Sequence, residues 1–239
     1  MPSSDKTLQK SSSREVTDFL AQVANLPARK PGQSQGRLIF AMDATASREP
    51  SWERACELQS DMFTETMALG GLAVQLCHYG GHANFGASDW LQSATALRDR
   101  MHLVRCASGL TQVERVLRHA AGQARQAKVH ALVFVGDRLE EPLHVTAQAA
   151  GELGLLGVPA FLFQEGDDSY AERGFRDIAR LTRGVYCRFD ASSANQLREL
   201  LSAVAVYAAG GRRALADLAK RRGGTILMLS HQLGGSDRS

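Results

Sequence analysis

No stretch of the sequence approaches the roughly 20 consecutive apolar residues of a membrane-spanning helix. The opening residues, Met-Pro-Ser-Ser-Asp-Lys, hold no apolar run of signal-peptide length. The expectation is a cytoplasmic protein with no membrane span. Charge of one sign is also scarce: 28 Lys and Arg against 25 Asp and Glu leave a net charge of +3, too little for nucleic-acid binding over the whole surface. Basic residues do gather late, at Arg212, Arg213, Lys220, Arg221 and Arg222, a pattern that usually marks a solvated helix face. Cysteine is sparse and unclustered. Cys56, Cys77, Cys106 and Cys187 form no CxxC pair and each lies among apolar residues, which favours buried thiols in a reducing compartment over disulfides. The glycine-rich dinucleotide and P-loop signatures are missing, as is the GxSxG nucleophile elbow, so those three chemistries lack their usual carriers. No internal repeat is visible.

What is present is an ordinary globular composition, 44% apolar and 22% charged over 239 residues, enough for one full core with short extensions. Three parts are expected. Residues 1–36 form a loose N-terminal extension. It holds one amphipathic helix, with Val16, Phe19, Leu20, Val23 and Leu26 at helical spacing, before Pro27 and a polar linker. Residues 37–209 form the body, and 210–239 a basic C-terminal helix and tail. Within the body, the pattern predicts strands over 37–43, 71–78, 83–87, 101–106, 129–136, 158–164 and 185–189. The helices fall over 51–69, 90–100, 111–126, 142–154, 169–182 and 194–209.

Strands alternating with helices imply an α/β fold: a doubly wound, mostly parallel sheet with helices on both faces. Gly80, Gly81 and Gly86 fit a tight hairpin and hence one antiparallel edge strand. Two glycines, Gly210-Gly211, break the last body helix from a following one that carries Leu215, Leu218 and Ala219. The apolar stretch Ile226 to Leu229 has no place in this scheme.

The most informative segment is Arg37-Leu-Ile-Phe-Ala-Met-Asp-Ala-Thr-Ala-Ser47, an apolar run ending in an acid and two hydroxyls at alternate positions. Ligands of parallel sheets bind beyond the carboxyl ends of strands, so Asp43, Thr45 and Ser47 stand where a site belongs. Two other loops join them. Thr111 follows Ser108-Gly109-Leu110 at a helix start, and Asp137 ends the strand Ala131-Leu-Val-Phe-Val-Gly136. All five side chains offer oxygen and none offers nitrogen or sulfur, the donor set of a hard cation such as Mg²⁺ rather than zinc.

In these segments the chain resembles the von Willebrand factor A family. The family's metal ion-dependent adhesion site uses Asp-x-Ser-x-Ser after the first strand, a Thr in a later loop and an Asp after the fourth strand. Here those positions read Asp43-Ala-Thr45-Ala-Ser47, Thr111 and Asp137, and the resemblance covers residues 37–209. Thr45 keeps the hydroxyl of the usual Ser, while Gly136-Asp137-Arg138 replaces the common Asp-Gly ending. The resemblance implies a protein-interaction module binding Mg²⁺, with Mn²⁺ or Ca²⁺ as substitutes. Ser47, Thr45 and Thr111 would coordinate directly or through water, Asp43 and Asp137 largely through water. An Asp or Glu of a partner protein would complete the shell. Some intracellular members of the family act with AAA+ ATPases or other assembly machinery, so the resemblance admits such a partner, but nothing in the sequence identifies it.

Two rival classes remain. A Mg²⁺-dependent phosphoryl-transfer or hydrolytic enzyme could use a doubly wound sheet, but it needs an acid, base or nucleophile beyond the metal ligands. Position 45 is also Thr where haloacid-dehalogenase-like phosphatases place a second Asp. The expectation is therefore no enzymatic activity. The other rival is a metal-free structural adaptor. Among weaker signals, Cys77-His78 and His82 have a spacing open to zinc, but a glycine-rich hairpin is no rigid ligand scaffold. Glu140 and Glu141 follow Asp137 closely and could tune the charge of the site, but such a pair more often belongs to the first turn of the next helix, the role read for Asp167-Asp168 as well.

Overall fold

In a computed structural model, residues 35–46, 71–81, 84–189 and 194–222 are described, with isolated positions 18, 22, 49, 52, 53, 62–64 and 66. Six strands form one sheet: β1 (Gly36–Asp43), β2 (Leu72–Gly80), β3 (Asn84–Leu91), β4 (Ala131–Gly136), β5 (Ala160–Glu165) and β6 (Val185–Phe189). Their spatial order is β3-β2-β1-β4-β5-β6. All neighbours run parallel except β3, which pairs antiparallel with β2 at the sheet edge. The helices are α1 (Ala94–His102), α2 (Val113–Gln126), α3 (Leu143–Leu155), α4 (Ser169–Leu181) and α5 (Ala194–Arg222). This is the doubly wound sheet with one antiparallel edge strand that the sequence pattern predicts.

The central strands are mostly apolar because both of their faces are covered. Along β1, Leu38, Phe40 and Met42 enter one hydrophobic cluster and Ile39 and Ala41 the other. The first cluster lies under α1 and α5 and includes Trp52, Met62 and Phe63. The second lies under α2, α3 and α4. α2 buries Val113, Val116, Leu117, Ala120 and Ala121, a stripe at helical spacing, against that second face.

Between β1 and β2, the described positions 49, 52, 53, 62–64 and 66 are helical. Trp52 and Phe63 are buried, while Cys56 and Met67 lie outside the described residues. So do the apolar positions of the N-terminal helix, the residues after 222, and with them Ile226 to Leu229. α5 buries Leu197, Leu200, Leu201 and Val204, and its helix breaks at Gly211, with φ 71° and ψ −166°. Beyond the break, Ala214, Leu215 and Leu218 return to the first core cluster.

One expected strand is not formed. Residues 101–106 continue and then leave α1: Met101 and His102 are its last turn, Leu103 caps it, and 104–112 are irregular. Met101 supplies the buried contact of this stretch and Leu103 is 70% exposed. A short apolar run at a helix end resembles a short buried strand in sequence; here the helix keeps its first two residues and the others leave it as irregular chain.

Candidate metal centre

The sheet reverses direction between β1 and β4. From β1 the chain winds outward through β2 and β3, then crosses back to place β4 on the other side of β1. Crossovers leaving neighbouring strands in opposite directions open a crevice at their carboxyl ends. Asp43 is the last residue of β1. Met42 is in register with Val135, so Asp43 stands beside Gly136, and an ideal Cβ on Gly136 would lie 3.8 Å from the Asp43 Cβ. Asp137 follows at once and is half-buried. The two carboxylates thus leave adjacent strand ends.

Asp43 is 1% exposed and Thr45 9%. The Thr45 N–H donates to Asp43 Oδ1 at 2.7 Å, a local turn that fixes the carboxylate against its own loop. Ser47 lies outside the described residues.

The loop bearing Thr111 reaches the same end of the sheet through backbone contacts. Ala44 N–H donates to Tyr79 O at 2.8 Å, Ala107 N–H to Ala44 O at 3.0 Å, and Gly81 N–H to Ala107 O at 3.0 Å. Two glycines make this approach possible. A Cβ at Gly80 would lie 2.4 Å from Ala44 O, and one at Gly109 would lie 2.0 Å from Gly81 O. The loops after β1 and β2 and the loop before α2 are therefore zipped together, and Thr111, 6% exposed, leaves the last of them.

Thr111 is held from the other side by Glu140 and Glu141. Its N–H donates to Glu140 Oε2 at 2.8 Å, and the Glu140 N–H donates to Thr111 Oγ1 at 2.8 Å. The Thr111 hydroxyl donates to Glu141 Oε2, and the Glu114 N–H donates to Glu141 Oε1 at 3.1 Å. Tyr170 O–H, at the start of α4, donates to the Glu141 carbonyl at 3.2 Å. This corrects the sequence reading of the glutamate pair. Glu140 and Glu141 precede Pro142 and α3 but do not serve that helix; they accept the amide hydrogens at the start of α2. The reason lies in α2 itself, whose N-cap Gln112 makes no side-chain cap, so its first N–H groups need acceptors from elsewhere. Asp168 does act as expected, accepting from Ala171 N–H at 2.8 Å at the start of α4.

The structure thus gathers Asp43, Thr45, Thr111 and Asp137 at one end of the sheet. Sequence reasoning missed Glu140 and Glu141 as partners of Thr111. The available signal was a helix start, Thr111-Gln-Val-Glu114, with no Ser, Asp or Asn at its cap position.

The zinc spacing fares differently. Cys77 enters the α2–α4 face, whereas His78 packs its ring edge-on to Trp52 of the opposite cluster, with centroids 6.1 Å apart. Successive residues of a strand point to opposite faces, so these two side chains do not converge; His82 lies outside the described residues. Burial pushes the Cys77 thiol up to about 12. It also lowers His78, to which Arg100 adds. Among the described residues no group of three or more His, Cys, Asp or Glu side chains is placed to hold a metal ion. A site of two carboxylates with hydroxyls is not of that kind.

No family model and no curated protein matches the chain. Solved structures do match in fold. A von Willebrand factor type A protein from Catenulispora acidiphila superposes with a TM-score of 0.61 at 16% identity, over 72% of this chain and 43% of that one. This chain therefore spans less than half the length of that relative. The VWA domain of SpRpn10 superposes at 0.54 and 13% identity, over 70% of this chain and 92% of the domain. Proximal thread matrix protein 1 of the mussel byssus gives 0.57 and 13%, over 79% and 48%. With the sheet order, the antiparallel edge and the helices on both faces, these likenesses establish that the chain has the von Willebrand factor A fold.

Proposed function

We propose that this chain is a protein-interaction module that binds a divalent cation, Mg²⁺ in the first place, and through it an acidic side chain of a partner protein. The fold supports the coarser half of this reading, since domains of this architecture commonly serve protein interaction. The finer half rests on the donor set. Asp43, Thr45 and Thr111 are buried at the crevice where β1 and β4 diverge, and Asp137 stands half-buried beside them. Hydroxyl and carboxylate oxygens suit Mg²⁺, Mn²⁺ or Ca²⁺.

The residues present fit such an ion. Thr111 Oγ1 gives its proton to Glu141 and accepts the Glu140 N–H, which leaves one of the two lone pairs of a hydroxyl for a cation. Asp43, Thr45, Ser47, Thr111 and Asp137 would hold it. The ion would supply a positive centre, and with so few anionic ligands it would retain affinity for an external carboxylate. We propose no catalysis: a hydrolytic reading needs a nucleophile–base pair, and the hydroxyl of Thr111 is held by carboxylate and amide without an imidazole. A reducing, cytoplasmic setting and a partner from AAA+ or similar assembly machinery belong to the same proposal. The carrying observation is the placement of Asp43 beside Gly136-Asp137, with the Thr111 loop zipped to Ala44.

Calorimetric titration of the metal-free protein with Mg²⁺ tests it. Binding is expected in the wild type and is lost in Asp43→Ala, which keeps its fold by circular dichroism. Unchanged Mg²⁺ affinity in that variant overturns the assignment.

A further inference from the structure

The pair Glu140 and Glu141 is not part of the donor set above, yet it shares three hydrogen bonds with Thr111. Thr111 and Glu140 exchange bonds in both directions, amide to carboxylate and amide to hydroxyl, each at 2.8 Å. Within one helix such reciprocity is a capping box; here it joins two loops 29 residues apart in sequence. Glu141 adds a second clamp, taking the Thr111 hydroxyl proton on Oε2 and the Glu114 N–H on Oε1. Both of its oxygens are thereby engaged at α2, and its main chain is pinned by Tyr170.

We propose that Glu141 is the positioning residue of the Thr111 hydroxyl, fixing which lone pair of Oγ1 is left for the cation. The inference rests on the metal-binding reading above. A Ser or Thr hydroxyl rotates freely to suit its surroundings. With its proton committed to a carboxylate and one lone pair committed to the Glu140 amide, Oγ1 has a single acceptor direction left. Donation to a carboxylate also makes the oxygen a better donor to a positive ion, as partners behind metal ligands do elsewhere. The same clamp ties the Thr111 loop to the β4–α3 loop that begins with Asp137, so two site-bearing loops keep their spacing without the ion.

The test uses the full chain as Glu141→Ala and Glu141→Gln, with wild type and Asp43→Ala as references. Two readouts are taken: Mg²⁺ affinity by calorimetry, and amide hydrogen exchange at Thr111 and Glu114 in the metal-free protein. Glu141→Ala is expected to speed exchange at Glu114 and to weaken Mg²⁺ binding about tenfold or more, within the range for lost supporting partners of metal ligands. Glu141→Gln is expected to recover part of the affinity, because its amide oxygen accepts the same hydroxyl proton. If wild type binds Mg²⁺, Asp43→Ala does not, and both Glu141 variants bind like wild type while folded, the positioning role is overturned and the metal site stands. If wild type itself does not bind Mg²⁺, the metal-binding reading falls and this inference with it.

Discussion

Gly109→Ala probes how the candidate site is held together. A Cβ at this position would lie 2.0 Å from the Gly81 oxygen, 2.6 Å from its carbonyl carbon and 2.7 Å from its nitrogen. All three are backbone atoms, with no flexible end to swing aside. The two loops must part by more than an ångström to reach ordinary contact. Overpacking of this kind costs about 1–3 kcal/mol. Parting also strains the Gly81 N–H bond to Ala107 O and the Ala107 N–H bond to Ala44 O, each worth about 0.5–1.5 kcal/mol. The expected loss is about 2–6 kcal/mol, and at roughly 2–4 °C per kcal/mol the melting temperature falls by about 4–24 °C. Gly122→Ala and Gly151→Ala are the controls. Both glycines lie inside helices, α2 and α3, with no heavy atom within 4 Å of an added Cβ, so alanine there should stabilise by about 0.5–1 kcal/mol. Thermal and urea denaturation followed by far-ultraviolet circular dichroism reads all three. A Gly109→Ala protein that melts with wild type, or above it with the helix controls, would show that the loops are not zipped as described.

Two further outcomes follow from buried titratable groups. Burial lowers His78 and His119 below the ordinary imidazole value, with Arg100 adding to the effect at His78. As pH falls the unfolded chain takes these protons first, so this contribution to stability is complete above about pH 6.5 and is lost as pH drops toward the depressed folded-state values. Urea midpoints should therefore fall between about pH 7.5 and about pH 5.5, less steeply in His78→Gln; equal slopes would refute the role of His78. Native-state alkylation with iodoacetamide should modify half-buried Cys106 well before buried Cys77, whose thiol is pushed up to about 12. Peptide mass spectrometry showing equal rates would contradict that burial.

The parts of the fold that were legible in sequence are those where one physical cause dominates. β1, β4 and β5 are covered on both faces, so their residues read as unbroken apolar runs, and the hairpin before β3 announces itself through Gly80 and Gly81. Residues 101–106 misled because a short apolar run carries no period of its own, and only the continuation of α1 to His102 decides it. The site divides in the same way. Asp43 and Asp137 were readable because each ends an apolar strand. The roles of Glu140 and Glu141 were not, because their partners Thr111 and Glu114 are brought to them by tertiary structure, and adjacency to α3 was the only signal in view. Gly109 likewise looks like any loop glycine until the backbone of Gly81 is seen beside it.

Gly36 has a mechanical consequence for α5. At the start of β1 this glycine lies under the helix backbone: an added Cβ would come within 2.7 Å of Ala208 O and of Ala209 Cα. The helix therefore rests in a notch, its small residues seated over the one place on β1 where nothing protrudes. A slide by one turn, about 5.4 Å, would bring Val204 and Ala205, or Gly211 and Arg212, over the notch instead of Ala208 and Ala209. One of those seats is bulkier and the other carries the helix break and a charge. Gradual creep of α5 along the sheet is blocked, and any displacement must be a step from one seat to another.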